Sequence, residues 1–209
     1  MSNKHTRMTH VLEDTTRTQA FSDAIIAIAM TLLILEVHVP AIGDGSTVGV
    51  ARSLVEVLPH FLSFALSFIT LAVIWVNHHA LFHELSGIDG ALQWNNNHLM
   101  FWVCVIPFGT AFLGEHPFVP GVVALYGLIM TMMAIAFTLM VRHVFFYTDL
   151  LPAKVSYAAR MQEYHRSWIG VTIYGASVPL AFFMPALSLV LFAITILFYF
   201  LPNPFEAHQ

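Results

Sequence analysis

Charged residues are scarce in this chain. Lys, Arg, Asp and Glu make up 10% of its 209 residues, whereas a soluble domain carries about 25%. Hydrophobic residues make up 58%, and they form long runs rather than the short amphipathic stripes of a globular core. This small number of charges cannot cover a water-exposed surface. The sequence therefore predicts an integral membrane protein.

Basic residues, cysteine and nucleophile motifs are also sparse. Eight Lys and Arg against twelve Asp and Glu give a net charge of −4, and no basic stripe with interleaved aromatics is present, which argues against nucleic-acid binding. The single cysteine, Cys104, excludes a disulfide within the chain. No Ser or Cys lies in a Gly-x-Ser-x-Gly turn or a comparable setting, which argues against nucleophilic catalysis. We predict no enzyme activity and no bound cofactor.

Stretches without charge divide the rest into transmembrane helices. The last of them, Ser167 to Phe205, would reach about 58 Å as one helix, nearly twice the ~30 Å hydrocarbon core, so it must fold back near Pro185. We therefore predict an all-α fold with a polar N-terminus, 1–16, and a membrane domain, 17–205. Its six helices are predicted at 18–39, 54–79, 95–113, 119–144, 166–184 and 186–201.

Basic residues also predict the orientation of these helices. Lys4, Arg7 and Arg17 precede the first helix, and further Lys and Arg lie within 142–166, on the same side if six helices span. Only Arg52 falls on the other side. The positive-inside rule then predicts that both termini are cytoplasmic.

The first helix is unusual because only twelve residues, Ala24 to Leu35, separate Asp23 from Glu36. Twelve residues span about 18 Å of helix, so an ionisable group lies at membrane depth or at its edge, where a functional role is the default expectation. At 100° per residue, Ile28, Leu32 and Leu35 form one stripe with Thr31 at its flank, and Asp23 points elsewhere. Such a stripe fits either ordinary helix packing or a pore.

The segment Arg17-x-x-x-Phe21-Ser22-Asp23 resembles the signature of the transmembrane protein 175 family, whose members are potassium-permeable channels. Trp75, followed by Asn77, His78 and His79, closes the second helix much as a Trp and His pair does in that family. The length also matches the bacterial members that have a single six-helix repeat.

This resemblance implies a homotetramer of the inner cell membrane in which the first helix of each subunit lines a central pore. Ile28, Thr31, Leu32 and Leu35 would then face the pore, which agrees with the stripe found on the helical wheel. Rings of the apolar side chains would form the constrictions, and K⁺ or a related monovalent cation would pass near Thr31 and Ile28. Selectivity for K⁺ over Na⁺ is expected to be modest.

The motif itself is expected to support the pore helix. Arg17 and Asp23 are six positions apart, too far for the favoured helical pair spacing, so each is expected to bond polar groups of neighbouring helices. The candidates lie at the ends of the second and third helices and would surround Ser22 and Asp23; they are Asn77, His78, Asn96, Asn97 and His98.

Two other functions remain as alternatives. His79 and His83 are one helical turn apart and could grip a metal, as in a membrane metalloenzyme, although the other histidines are scattered singly and we predict no metal site. Pro107 with Gly109, and Pro179, could break their helices, as in a secondary transporter. The last three predicted helices, however, contain no acidic residue that could couple the transport of an ion.

Overall fold

A computed structural model describes residues 15–41, 46–152 and 155–199. Within these ranges the chain forms six α-helices and one short 3₁₀ helix, and the predicted all-helical membrane fold is confirmed. The 3₁₀ helix, Ile34–Glu36, directly follows α1. The α-helices are α1 Thr15–Leu33, α2 Thr47–His83, α3 Gly90–Glu115, α4 Pro120–Phe146, α5 Tyr157–Ala181 and α6 Pro185–Tyr199.

Four of the described helices, α1 to α4, are long and apolar enough to cross a membrane. The helix α6 is apolar but has 15 described residues, and α5 begins with a polar half. Three residues, Phe182 to Met184, separate α5 from α6, and they lie where the sequence predicted the chain to fold back. The predicted end at 201, and the N-terminal residues 1–14, lie outside the described residues.

The first helix ends earlier than predicted. We expected it to reach residue 39, but α1 ends at Leu33, and Val37 after the 3₁₀ turn has an extended backbone (φ −89°, ψ 94°). Valines at 37 and 39 disfavour helix because they are β-branched, and Pro40 disfavours the helical conformation at the residue before it. The α-helical part of the first predicted transmembrane segment therefore ends at Leu33, six residues before the predicted end at 39.

Three further helices begin five or more residues earlier than predicted, because each has a capped first turn that precedes its apolar run. The helix α2 begins at Thr47 instead of 54, with Ser46 as its N-cap. Asp89 caps α3, which begins at Gly90 instead of 95, and Ser156 caps α5, which begins at Tyr157 instead of 166. In each case the cap oxygen accepts a backbone N–H three residues on, which stabilises a first turn outside the apolar run.

The proline and glycine in α3 do not break it. The helix is continuous from Gly90 to Glu115 and includes Pro107. Gly109 is a close-packing site, because a Cβ built there would lie 2.8 Å from Cδ1 of Ile129 on α4. The sequence feature read as a transporter-like break is thus a contact between two helices.

The helices alternate in direction, and α4 is the most deeply buried of them. At the end where α1 begins, arginines of α5 bond the last carbonyls of the helices that finish there: Arg166 Nη2 donates to Tyr199 O (3.2 Å) and Arg160 Nη1 to Phe145 O (3.5 Å). Positive groups are favourable at helix C-termini. Arg17 and Arg142 lie at the same end, whereas Arg52 lies at the other.

Candidate pore helix and its polar support

The helix α1 has one packed face and one exposed face. The packed face contacts α2 and α3 and repeats every three or four residues; it consists of Thr18, Ser22, Ile26, Ala29 and Leu33. The opposite face is exposed in the single chain, with Ile28 at 58% and Leu32 at 44% exposure, and Leu35 in the 3₁₀ turn after α1 is 70% exposed. Thr31 is exposed as well. The structure therefore leaves the four predicted pore positions uncovered by the subunit's own helices.

A buried polar cluster holds the packed face of α1. Asn96 of α3 lies at its centre: its Nδ2 donates to Ser22 Oγ (2.9 Å), and its Oδ1 is 2.8 Å from Nε2 of His78 on α2. Because an amide oxygen only accepts, His78 donates from Nε2. Ser22 in turn donates to the carbonyl of Thr18 (2.9 Å). All three side chains are fully buried, so this Ser22–Asn96–His78 cluster joins three helices in a dry environment.

Asp23 bonds a different group from those the sequence suggested. Its Oδ1 accepts a hydrogen bond from the indole Nε1 of Trp75 on α2 (2.9 Å), rather than from an asparagine or histidine. One turn nearer the start of α1, Gln19 Nε2 donates to Nδ1 of His79 (2.8 Å). Trp75 belongs to the supporting network that the family resemblance implies, although no partner was predicted for it. An indole N–H within an apolar helix needs an acceptor, and that requirement was the available signal.

Three predicted support residues lie away from Ser22 and Asp23. Asn77 Nδ2 donates to the Val73 carbonyl of its own helix (2.8 Å), and His98 Nε2 accepts from Trp102 one turn along α3 (3.0 Å). Asn97 is exposed beside α1. Neighbouring residues on a helix point about 100° apart, so only Asn96 of the asparagines and His78 of the histidines have the phase that meets Ser22.

Arg17 and Phe21 lie on the outer side of the same helix. With Thr18 of α1 and Gln93 and Asn97 of α3 they line an open cleft of about 420 Å³, which we call the Arg17 cleft. No ion pair joins Arg17 to Asp23. The two charged residues of the motif therefore face different surroundings: Asp23 faces α2, and Arg17 faces the cleft.

The histidines at the end of α2 do not form a metal site with other residues that the structure describes. His79 and His83 have ring centroids 6.4 Å apart, and His79 Nδ1 is already bonded to Gln19. Across the described ranges no group of three or more His, Cys, Asp or Glu side chains is arranged to hold a metal. The metalloenzyme alternative gains no support from this geometry.

We expect Trp75→Phe to destabilise the protein by about 1 kcal/mol, because it removes a donor to a carboxylate while keeping an aromatic ring. Thermal melting of the purified protein would measure the change. Trp94→Phe is the matched control, since Trp94 is 76% exposed and its replacement is expected to leave the melting temperature unchanged. Equal shifts in the two variants would contradict a specific role for the Trp75–Asp23 bond.

These features define a class: a helical membrane protein whose first helix is fixed by buried polar side chains and keeps an apolar face free. A sequence model described as "Endosomal/lysosomal potassium channel TMEM175" matches residues 17–107, which include α1, α2 and most of α3. A protein of Chryseobacterium named a potassium channel is 32% identical over 187 residues, covering 90% of this chain and 93% of that protein. The chain belongs to the TMEM175 family.

A second relative and a solved structure agree with this. A protein of Streptomyces collinus, also named a potassium channel, is 32% identical over 193 residues, covering 90% of this chain and 92% of its own. The crystal structure of a lysosomal potassium-selective channel TMEM175 homolog from Chamaesiphon minutus superposes with a TM-score of 0.78 at 31% identity. It covers 91% of this chain and 98% of that one, so the similarity extends over nearly the whole chain.

Proposed function

We propose that this protein is a potassium-permeable channel in which four subunits place α1 around a central pore. The observation that carries the proposal is the free apolar face of α1, opposite a face that is fixed by the buried Ser22–Asn96–His78 cluster. Relatives that cover nine-tenths of the chain are named potassium channels, which supports passive cation flux. Catalysis has no part in this function.

Ile28, Leu32 and Leu35 would form successive apolar rings along the pore. Ile28 and Leu32 lie on α1, and Leu35 lies in the 3₁₀ turn after it, seven positions beyond Ile28. The three rings therefore span about 11 Å along the axis. A ring of four such side chains repels water, so it blocks ions until the side chains move apart and the pore becomes wet. Gating in this proposal is therefore the displacement of apolar side chains rather than the movement of a charged plug.

Thr31 would supply the oxygen atoms nearest to a passing ion. Its Oγ1 donates its hydrogen to the carbonyl of Ile28 (2.8 Å), which leaves the hydroxyl lone pairs as acceptors on the exposed side. A K⁺ ion that loses part of its hydration shell could bind these lone pairs near Ile28. Because the carbonyls of a regular helix bond within the helix, no ring of backbone carbonyls is offered, and we expect modest selectivity for K⁺ over Na⁺.

The polar cluster and the Trp75–Asp23 bond would keep α1 in place beside this pore. A helix with one apolar face toward a water-filled axis loses packing contacts on that side, so directional hydrogen bonds to α2 and α3 must fix its rotation. The basic residues at the start of α1 and α5 and near the end of α4 support cytoplasmic termini in the inner membrane.

Ion flux tests the proposal. Protein reconstituted into liposomes loaded with K⁺ should release it down its gradient with no coupled ion or substrate, and Na⁺ should pass more slowly. Liposomes treated with a potassium ionophore give the maximum signal, and protein-free liposomes give the background. Absence of flux at several voltages and pH values would refute the channel, and flux that requires a second solute would favour the transporter. The mass of the purified oligomer tests the tetramer.

A further inference from the structure

A cavity of about 40 Å³ lies inside the helix bundle, between α2, α4, α5 and α6. We propose that it binds one monovalent cation within each subunit, at a site separate from the proposed pore. Glu163 of α5 lines the cavity and is only 6% exposed. A water molecule needs about 10–15 Å³ of such space, so the cavity has room for an ion with one or two waters. None of the residues that line it lies on α1.

A buried carboxylate requires positive charge or several hydrogen-bond donors around it, because its transfer out of water is otherwise costly. Arg166 lies one turn farther along α5, but its guanidinium lies against the end of α6, where Nη2 donates to Tyr199 O (3.2 Å). Arg160, one turn earlier, donates to the carbonyl of Phe145 (3.5 Å). Neither arginine lines the cavity. A bound cation would therefore supply positive charge on the side of Glu163 that faces the cavity.

The hydroxyl groups of the lining offer oxygen atoms that accept rather than donate. Three of them give their only hydrogen to backbone carbonyls: Thr70 to Leu66 (2.8 Å), Ser167 to Tyr164 (2.8 Å) and Tyr199 to Arg166 (3.1 Å). The fourth hydroxyl, that of Tyr174, is hydrogen-bonded to Thr70. An oxygen that has given its hydrogen away can still accept through its lone pairs. Together with a carboxylate, such oxygens suit a cation, because they can replace part of its hydration shell.

Charge and size both favour a monovalent cation. One buried carboxylate balances one positive charge, whereas a divalent ion would leave an excess charge out of water. Nowhere in the described ranges do three or more His, Cys, Asp or Glu side chains meet in an arrangement that could hold a metal. The rest of the lining is largely apolar, with Ile74, Met133 and Phe137 among its residues, and a large organic cation would not fit. The site therefore suits an ion of the size of K⁺ or Na⁺.

A second, smaller cavity of about 10 Å³ offers a way in. Asn77, Phe137 and Glu163 line both cavities. The smaller one continues to Glu84, which follows the last residue of α2 and is partly exposed. This is the membrane side on which α1 begins, and it is cytoplasmic in the proposed orientation. Two carboxylates thus lie in succession between that surface and the cavity, and both attract cations.

Anomalous X-ray diffraction locates the ion directly. Crystals of the purified oligomer, grown with thallium(I) in place of K⁺, should show an anomalous peak beside Glu163, between α2, α4, α5 and α6. Glu163→Gln should remove this peak. Glu56→Gln is the matched control, because Glu56 is an exposed carboxylate elsewhere on α2, and this variant should keep it. A wild-type map with thallium only on the pore axis, or with none, would overturn the proposal.

Thermal melting provides a second test in detergent solution. Replacing N-methylglucamine chloride by KCl at equal ionic strength should raise the melting temperature by about 3–5 °C when K⁺ is at tenfold its Kd. Ala134→Val adds two methyl groups to the cavity wall and leaves Glu163 in place, so it keeps the test decisive if Glu163→Gln does not fold. The rise should fall by at least half in this variant. An equal rise in both proteins would place the ion elsewhere and overturn the proposal. Both experiments measure binding, so failed ion flux would leave their result intact.

Discussion

Leu35→Asn is expected to raise K⁺ flux through the reconstituted channel by about tenfold. An amide in each of four subunits would bond water at the outermost apolar ring, which lowers the free energy of wetting that constriction. A barrier lowered by only about 1.4 kcal/mol gives a tenfold faster rate. Initial K⁺ release from liposomes of equal protein content would measure the change.

The control for this experiment is Leu197→Asn on α6. Leu197 is 67% exposed and Leu35 is 70% exposed, so the two changes are matched in chemistry and in exposure within a single chain. We expect the α6 variant to leave flux unchanged, because only α1 and the 3₁₀ turn after it line the proposed pore. Ile28→Ala should raise flux as well, since it widens another ring. Unchanged flux in both the Leu35 and the Ile28 variant would remove these positions from the permeation path.

Periodicity and charge predicted the free face of α1 and the number of helices, because both depend on local properties of the sequence. Lipid as the outer solvent selects long apolar segments, and a helix of 3.6 residues per turn fixes which side chains share a face. The bounds were less accurate. The caps at Ser46, Asp89 and Ser156 extend helices beyond their apolar stretches, and a criterion based on apolar, charge-free runs cannot detect an extension that a cap stabilises.

The polar support was predicted only in part, because it depends on the rotation of one helix against another. Five polar side chains at the ends of α2 and α3 were equally plausible from the sequence. The structure selects His78 and Asn96, since these two point at Ser22, while Asn97 turns to the Arg17 cleft. A difference of one residue rotates a side chain by about 100°, and the sequence alone does not give the relative rotation of packed helices.

Asn96→Leu is expected to destabilise the protein by about 2–4 kcal/mol and to reduce channel activity with it. Leucine has nearly the same size, but it leaves the buried Nε2 of His78 without its acceptor and Ser22 Oγ without its donor, and each loss costs about 1–3 kcal/mol. The cluster joins α1 to α2 and α3, so its loss also frees the rotation of the proposed pore helix. Thermal melting and K⁺ flux of the same preparation would measure both effects.

Two further variants separate hydrogen bonding from packing. Asn95→Leu, the same change at the preceding, half-buried position of α3, is expected to shift the melting temperature little, because its phase does not meet Ser22. Adding His78→Phe to Asn96→Leu should recover part of the lost stability, since replacing both polar partners by apolar groups removes the unsatisfied donor. The new ring can keep the stacking on Phe82, whose centroid lies 4.2 Å from that of His78. If the double variant is less stable than Asn96→Leu alone, the cost of that substitution is one of packing, and the cluster does not act through its hydrogen bonds.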